Sequence, residues 1–167
     1  MVEFGFAIAH TLKHEGGYND IAEDKGGATN FGISLRFYKN NINSNANNDV
    51  IKALTQEEAC KIYRKFFWDF NNLNAILSQQ IANKLFDTCV NMGNQQAIKL
   101  SQRICNIKDD GFCGKITIEN INKQNADEFI NKYIGLQENF YLSLIKNNPS
   151  QEKFKNGWLN RARYNGK

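Results

Sequence analysis

Apolar residues recur with helical spacing along nearly the whole chain. Phe4, Ile8 and Leu12 are four apart with Ala7 beside them, which predicts a first helix over residues 3–14 with one buried stripe. Gly16 and Gly17 end it, because paired glycines favour a C-terminal break. Residues 16–34 carry five glycines and alternate poorly, so they read as loop and tight turns with room for a short hairpin. Ile33 to Tyr38 look helical again, and residues 40–49, NNINSNANND, form a polar low-complexity loop. Thr55-Gln-Glu-Glu58 is a capping box in front of a wide apolar face built from Ala59, Ile62, Tyr63, Phe66, Phe67 and Phe70. The next helix carries Ile81, Leu85, Phe86, Cys89 and Val90; residues 91–93 interrupt it, and Ala97, Ile98 and Leu100 continue the pattern. Asp109-Asp110-Gly111 is a turn. The longest stripe runs from Ala126 through Phe129, Tyr133 and Phe140 to Leu144. Pro149 opens a last helix through Trp158, since proline suits a first turn. No segment is strand-rich and no repeat is visible. The expected fold is therefore all-α, a mainly helical bundle interrupted by one glycine-rich loop.

Composition changes this picture only a little. At 167 residues, 41% hydrophobic and 23% charged, the chain is long enough for one domain or two small lobes and fits a soluble globular class. There are 25 asparagines and one proline, which allows either floppy loops or a composition bias over an ordered fold. No apolar run nears the ~20 residues of a membrane span. Glu3 stands where a signal peptide would want Lys or Arg, so a chain made in the cytoplasm without its own secretion signal is expected. The net charge of +4 suits an anionic partner without choosing one. Cys60, Cys89, Cys105 and Cys113 form no C-x-x-C pair, so buried reduced thiols are expected, with a Cys105–Cys113 loop closure as the lesser alternative.

The most informative stretch is HEGGYNDIAEDKGGATNFGIS, residues 14–34. Glu15 falls at a helix C-terminus, whose partial negative charge disfavours an ionised carboxylate. A carboxyl that keeps its proton suits a general acid. Asp24 lies nine positions on and Thr29 five beyond that. An acid, a second carboxylate and a hydroxyl on a glycine-rich turn make a glycosidase site; in an inverting mechanism the carboxyls stand roughly 6.5–9.5 Å apart. The bland reading is that Glu15, Asp20, Glu23 and Asp24 form a solvated acidic loop.

Resemblance shifts the balance. Glu15-Gly-Gly-Tyr18 followed by Asp24-x-Gly-Gly-x-Thr29-x-x-Gly-Ile-Ser34 closely resembles the signature of glycoside hydrolase family 108, the N-acetylmuramidases of phages and bacteria. TQEEACKIYRKFFWDF resembles that family's helix ending in Tyr-Trp-Asp, with Phe67-Trp68-Asp69 here. FDTCVNMGNQQAIKLSQRI, DDGFCGKIT and FKNGWLNRAR resemble the peptidoglycan-binding segment that follows, and Asp110-Gly111-x-x-Gly114-x-x-Thr117 matches a turn of small wall-binding modules. The resemblance implies a lysozyme-like fold, a catalytic part over residues 1–92 and a wall-binding part over residues 93–167 within one compact unit. It implies Glu15 as the catalytic acid. Asp24 and Thr29 follow the Glu, Asp, Thr order of phage-type lysozymes. Tyr18 is followed by Asn-Asp-Ile-Ala-Glu where members often have Asn-Asp-Pro, so Asp20, Glu23 and Asp24 all stand as the second carboxylate.

Other residues carry weaker signals. Tyr18, Asn30 and Phe31 border the loop and are candidates for lining the cleft. Trp68 and Tyr63 suit sugar stacking, although aromatics at helical spacing are more often core. Asn91 suits a substrate amide contact or helix termination. His10 and His14 have zinc spacing, but the H-E-x-x-H order is absent and no metal is expected. Lys153, Lys155, Arg161, Arg163 and Lys167 form a basic stretch, read as a solvated helix face or a contact to anionic wall or membrane. The expected protein is a monomeric peptidoglycan hydrolase without cofactor or nucleic-acid partner. It would cleave the N-acetylmuramic acid–N-acetylglucosamine bond in the periplasm or cell wall, after holin-type release or in wall remodelling. The alternatives are a lytic transglycosylase and a non-catalytic wall-binding module.

Overall fold

A computed structural model describes residues 2–14, 17–19 and 27–167. Helices dominate, and among the described residues the sheet content is one two-stranded antiparallel hairpin. The chain divides into two units, Ile8–Phe66 and a second made of residues up to Ala7 together with Phe67–Lys167. Helix α1, Phe4–His14, supplies residues to both.

In the first unit, strands β1 (Thr29–Asn30) and β2 (Ile33–Ser34) pair Thr29 with Ser34 and Asn30 with Ile33. The connecting pair, Phe31 and Gly32, has φ of 48° and 76°. Two positive φ values are what a two-residue hairpin of matching twist requires. Glycine adopts this freely, whereas phenylalanine does so at a cost in strain. Residues 33–34, expected to open a helix, are strand instead. Ser34 caps α2, Leu35–Asn41, by accepting from the Phe37 N–H. The asparagine-rich loop ends sooner than its composition suggests, because Asn47 caps α3, Asn48–Lys52. Thr55 and Glu58 form the expected capping box on α4, Gln56–Tyr63. The hydrogen bonds from Thr55 hold the exposed Glu58 carboxyl below its usual range.

The face predicted to continue to Phe70 changes register. Arg64–Asp69 is a π-helical segment. Wider turns add a residue per turn and rotate the buried stripe. Trp68 therefore lies in the core and Phe70 is exposed.

In the second unit, Ser78 caps α5, Gln79–Met92, and residues Ile81 to Cys89 are all buried. A helix covered all round must satisfy its polar side chains from its neighbours. Asn83 donates to Gly166 O at 2.9 Å, Lys84 to Ala162 O at 2.6 Å, and Thr88 to Lys84 O at 2.9 Å. Asp87 takes an ion pair from Arg161 at 3.1 Å. Gly93, at φ 86°, separates α5 from α6, Asn94–Ile104, as expected for residues 91–93. Then come α7 (Lys115–Ile121), unforeseen in the periodicity, and α8 (Ala126–Asn147), capped by Asn125. Pro149 opens a 3-10 turn that leads into α9, Lys155–Ala162. All four cysteines are free, so Cys105 and Cys113 close no loop.

Candidate active site

Glu15 and Asp24, with the alternative carboxylates Asp20 and Glu23, lie outside the described residues. The described residues around them show how their flanks are held. Asn19 and Thr29 exchange two backbone hydrogen bonds, both 2.8 Å. Thr29 thus pairs with Asn19 on one edge of β1 and with Ser34 on the other. The Thr29 hydroxyl donates to Gly27 O at 3.3 Å. That is longer than the usual ~2.5–3.0 Å for a hydroxyl donor. A hydroxyl so lightly held can turn to order a water or a substrate oxygen.

Asn30, expected to contact substrate, is 5% exposed and has its amide group turned to the backbone. Its Nδ2 donates to the carbonyls of Ile51, Lys52 and Leu54 at 3.1, 3.3 and 3.2 Å. Carbonyls at a helix C-terminus have no partner within the helix, and here a hairpin side chain satisfies them. Asn30 is a positioning residue that ties β1 to the end of α3. Phe31 is half-buried, and its carbonyl accepts the Tyr63 hydroxyl at 2.9 Å. The strained hairpin tip is thereby fixed to α4. Tyr18 is 38% exposed, with the Lys52 ammonium 5.8 Å from its ring centre. Tyr18, Thr29, Asn30 and Phe31 are thus assembled around one hairpin.

Trp68 and Asn91 belong to the helical unit. Trp68 is 2% exposed and meets Phe4 and Phe86 edge-on, at 5.7 and 6.0 Å between ring centres. Its ring is core packing. Asn91 sits in the last turn of α5 and accepts the Tyr141 hydroxyl. Burial pushes that phenol's pKa up, which keeps the donor protonated. The basic C-terminal stretch is largely paired: Arg161 with Asp87, Arg163 with Glu138, Lys167 with Asp127 and Lys155 with Glu152.

Residues 8–93 match the family model described as glycosyl hydrolase 108, and residues 96–163 match the one described as a predicted peptidoglycan domain. The first match spans just over half the chain and defines a glycoside hydrolase. The chain belongs to the glycosyl hydrolase 108 family. Among solved structures it is similar to "Structure of Brucella abortus SagA", at 28% identity and a TM-score of 0.82, covering 95% of this chain and 88% of that one. The likeness fits a lysozyme-like, mainly α fold. A search of the curated proteins finds no match.

Proposed function

We propose that this glycoside hydrolase is an N-acetylmuramidase that cleaves the β-1,4 bond between N-acetylmuramic acid and N-acetylglucosamine, with Glu15 as general acid. Peptidoglycan is the substrate class that both family matches support. The observation that carries the finer reading is the backbone pairing of Asn19 with Thr29. It sets a loosely held hydroxyl within the motif that contains Glu15, inside the matched segment.

Glu15 gives its proton to the glycosidic oxygen as the bond to the sugar breaks. The second carboxylate, Asp24 first and Asp20 or Glu23 otherwise, stabilises the oxocarbenium-like state or directs a water, and Thr29 orients that water. Tyr18 and Phe31 line the approach. Residues 1–92 carry the reaction and residues 93–167 hold the wall. The working compartment is the periplasm or cell wall, reached by holin-type release in the lysis role; a holin gene beside this one would support that role.

Mass spectrometry of digested peptidoglycan tests the reaction. Reducing N-acetylmuramic acid ends are expected, and anhydromuramyl ends would identify a lytic transglycosylase instead.

A further inference from the structure

The largest exposed apolar side chains of the helical unit include two that flank the start of α7: Phe112, 70% exposed, and Ile116, 69% exposed. Between them and Ile107 opens a cavity of about 370 Å³. That volume is within the ~300–1,000 Å³ range of small-ligand sites. A second cavity, about 360 Å³, lies along α7 beside Asn72 and Ala75. The two share Gly114 and Lys115. Gly114 makes room for the aromatic wall: a Cβ there would come within 2.8 Å of the Phe112 ring.

The polar groups of the first cavity are already committed to one another. Gln102 Nε2 donates to Asp110 Oδ1, Phe112 O and Thr117 Oγ1 at 2.9, 3.1 and 3.1 Å, and Gln102 Oε1 accepts the Gly111 N–H at 2.8 Å. Asp110 also accepts the Phe112 N–H, and the Thr117 hydroxyl donates to Phe112 O. A sugar ring would find few partners for its hydroxyls on such a wall. What remains is an apolar surface edged by two lysines, Lys108 and Lys115, and by the Asp110 carboxylate, whose Oδ1 is already engaged. Lys115 has only a loose, exposed pairing with Glu119 at 3.8 Å. Exposed pairs of this kind cost little to exchange.

We infer that this face binds the peptide stem of peptidoglycan rather than its glycan. The stem is a short chain with alanine methyl groups and free carboxylates, which match the apolar floor and the two ammonium groups. The inference rests on the peptidoglycan reading above and adds to it a site and a ligand class. A ligand that reaches from one cavity to the next passes Lys115, which makes that ammonium the pivot of the contact.

The test uses the full chain and a soluble stem tetrapeptide, L-Ala-γ-D-Glu-L-Lys-D-Ala, which contains no glycosidic bond. Calorimetry should show binding that falls tenfold or more in Phe112→Ser and in Lys115→Glu, with melting temperatures unchanged because both side chains are exposed. Leu142→Ser, an exposed change on α8, serves as the control and should bind like wild type. Pelleting with purified walls should weaken once an amidase has removed the stems. Equal binding by both variants, undiminished pelleting on stem-free walls, or a dimer that Phe112→Ser disrupts without any peptide binding would each overturn the inference. Release of glycan fragments is scored separately. A chain that binds the peptide but releases nothing would sink the proposed hydrolysis and leave this site standing.

Discussion

Residues 8–66 hold their backbone with side-chain amides and hydroxyls aimed at carbonyls, whereas the helical unit holds its own with a helix buried on every side. In the first, Asn30 closes the end of α3 and Tyr63 grips the carbonyl of Phe31, a residue at φ 48°. In the second, α5 is wrapped by other elements, and its buried Lys84 and Asp87 are answered from the last helix. The difference shows how the work is divided. Short irregular backbone can present a motif at close quarters, but a few polar contacts must keep it there. Long helices build stiffness and carry a rigid surface, at the cost of burying charge.

This contrast can be broken from either side. Asp87→Ala should have the largest effect. It removes the carboxylate side of the Asp87–Arg161 ion pair, and breaking a buried pair costs about 3–5 kcal/mol. Urea unfolding should show that loss, and a cost below about 1 kcal/mol would mean the pair is not what completes α5. Lys84 comes next. Burial lowers its pKa from 10.5 to about 8. The unfolded chain therefore binds the extra proton between those values, and this group's contribution to stability rises as pH climbs through that window. The gain is at most roughly 3 kcal/mol. Buried tyrosines and cysteines titrate with the opposite sign at high pH, so the difference between wild type and Lys84→Met is the quantity to follow. It should grow in favour of wild type from pH 8 to 10; a flat difference would remove Lys84 from the account.

Asn30→Ala tests the other unit. The carbonyls of Lys52 and Leu54 lose the Asn30 amide, and that of Ile51 keeps only its backbone donors, which should cost about 1–3 kcal/mol. It should lower wall hydrolysis more than wall retention, because the hairpin lies within the segment that matches the glycosyl hydrolase 108 model. Equal losses would argue that Asn30 serves the whole molecule. Tyr63→Phe should be milder, about 1 kcal/mol for one hydrogen bond, read in the same unfolding experiment.

Much of this was legible in the sequence because helical burial has a period. The stripes of α1, α6 and α8 stand where the spacing puts them. The capping box at Thr55 is chemistry readable from four residues, and so is the glycine break at Gly93. The π-helical segment was not legible, since a change in turn width leaves the residue types unchanged. Nor was the full burial of α5: Asn83, Lys84, Asp87 and Thr88 look solvent-facing until distant residues arrive to pair with them. Helix α7 is short, and its exposed Ile116 spoils the expected stripe. At the candidate site the motif was readable, but the role of Asn30 was not, because it depends on a helix end twenty residues away. Phe112, an aromatic inside the Asp110-Gly111 turn, was the overlooked signal for the α7 face. The many asparagines also resolve into duties. Asn47 and Asn125 cap helices, Asn72 and Asn106 take left-handed turns, and Asn30, Asn71 and Asn83 are buried donors to carbonyls.

The central claim is that Glu15 is the acid of a muramidase, and fragment release from purified walls by Glu15→Gln tests it most directly. A positioned general acid contributes about 10²–10⁴-fold, so release of reducing N-acetylmuramic acid ends should fall by at least about a hundredfold while the variant still pellets with walls. Release at the wild-type rate would contradict the account.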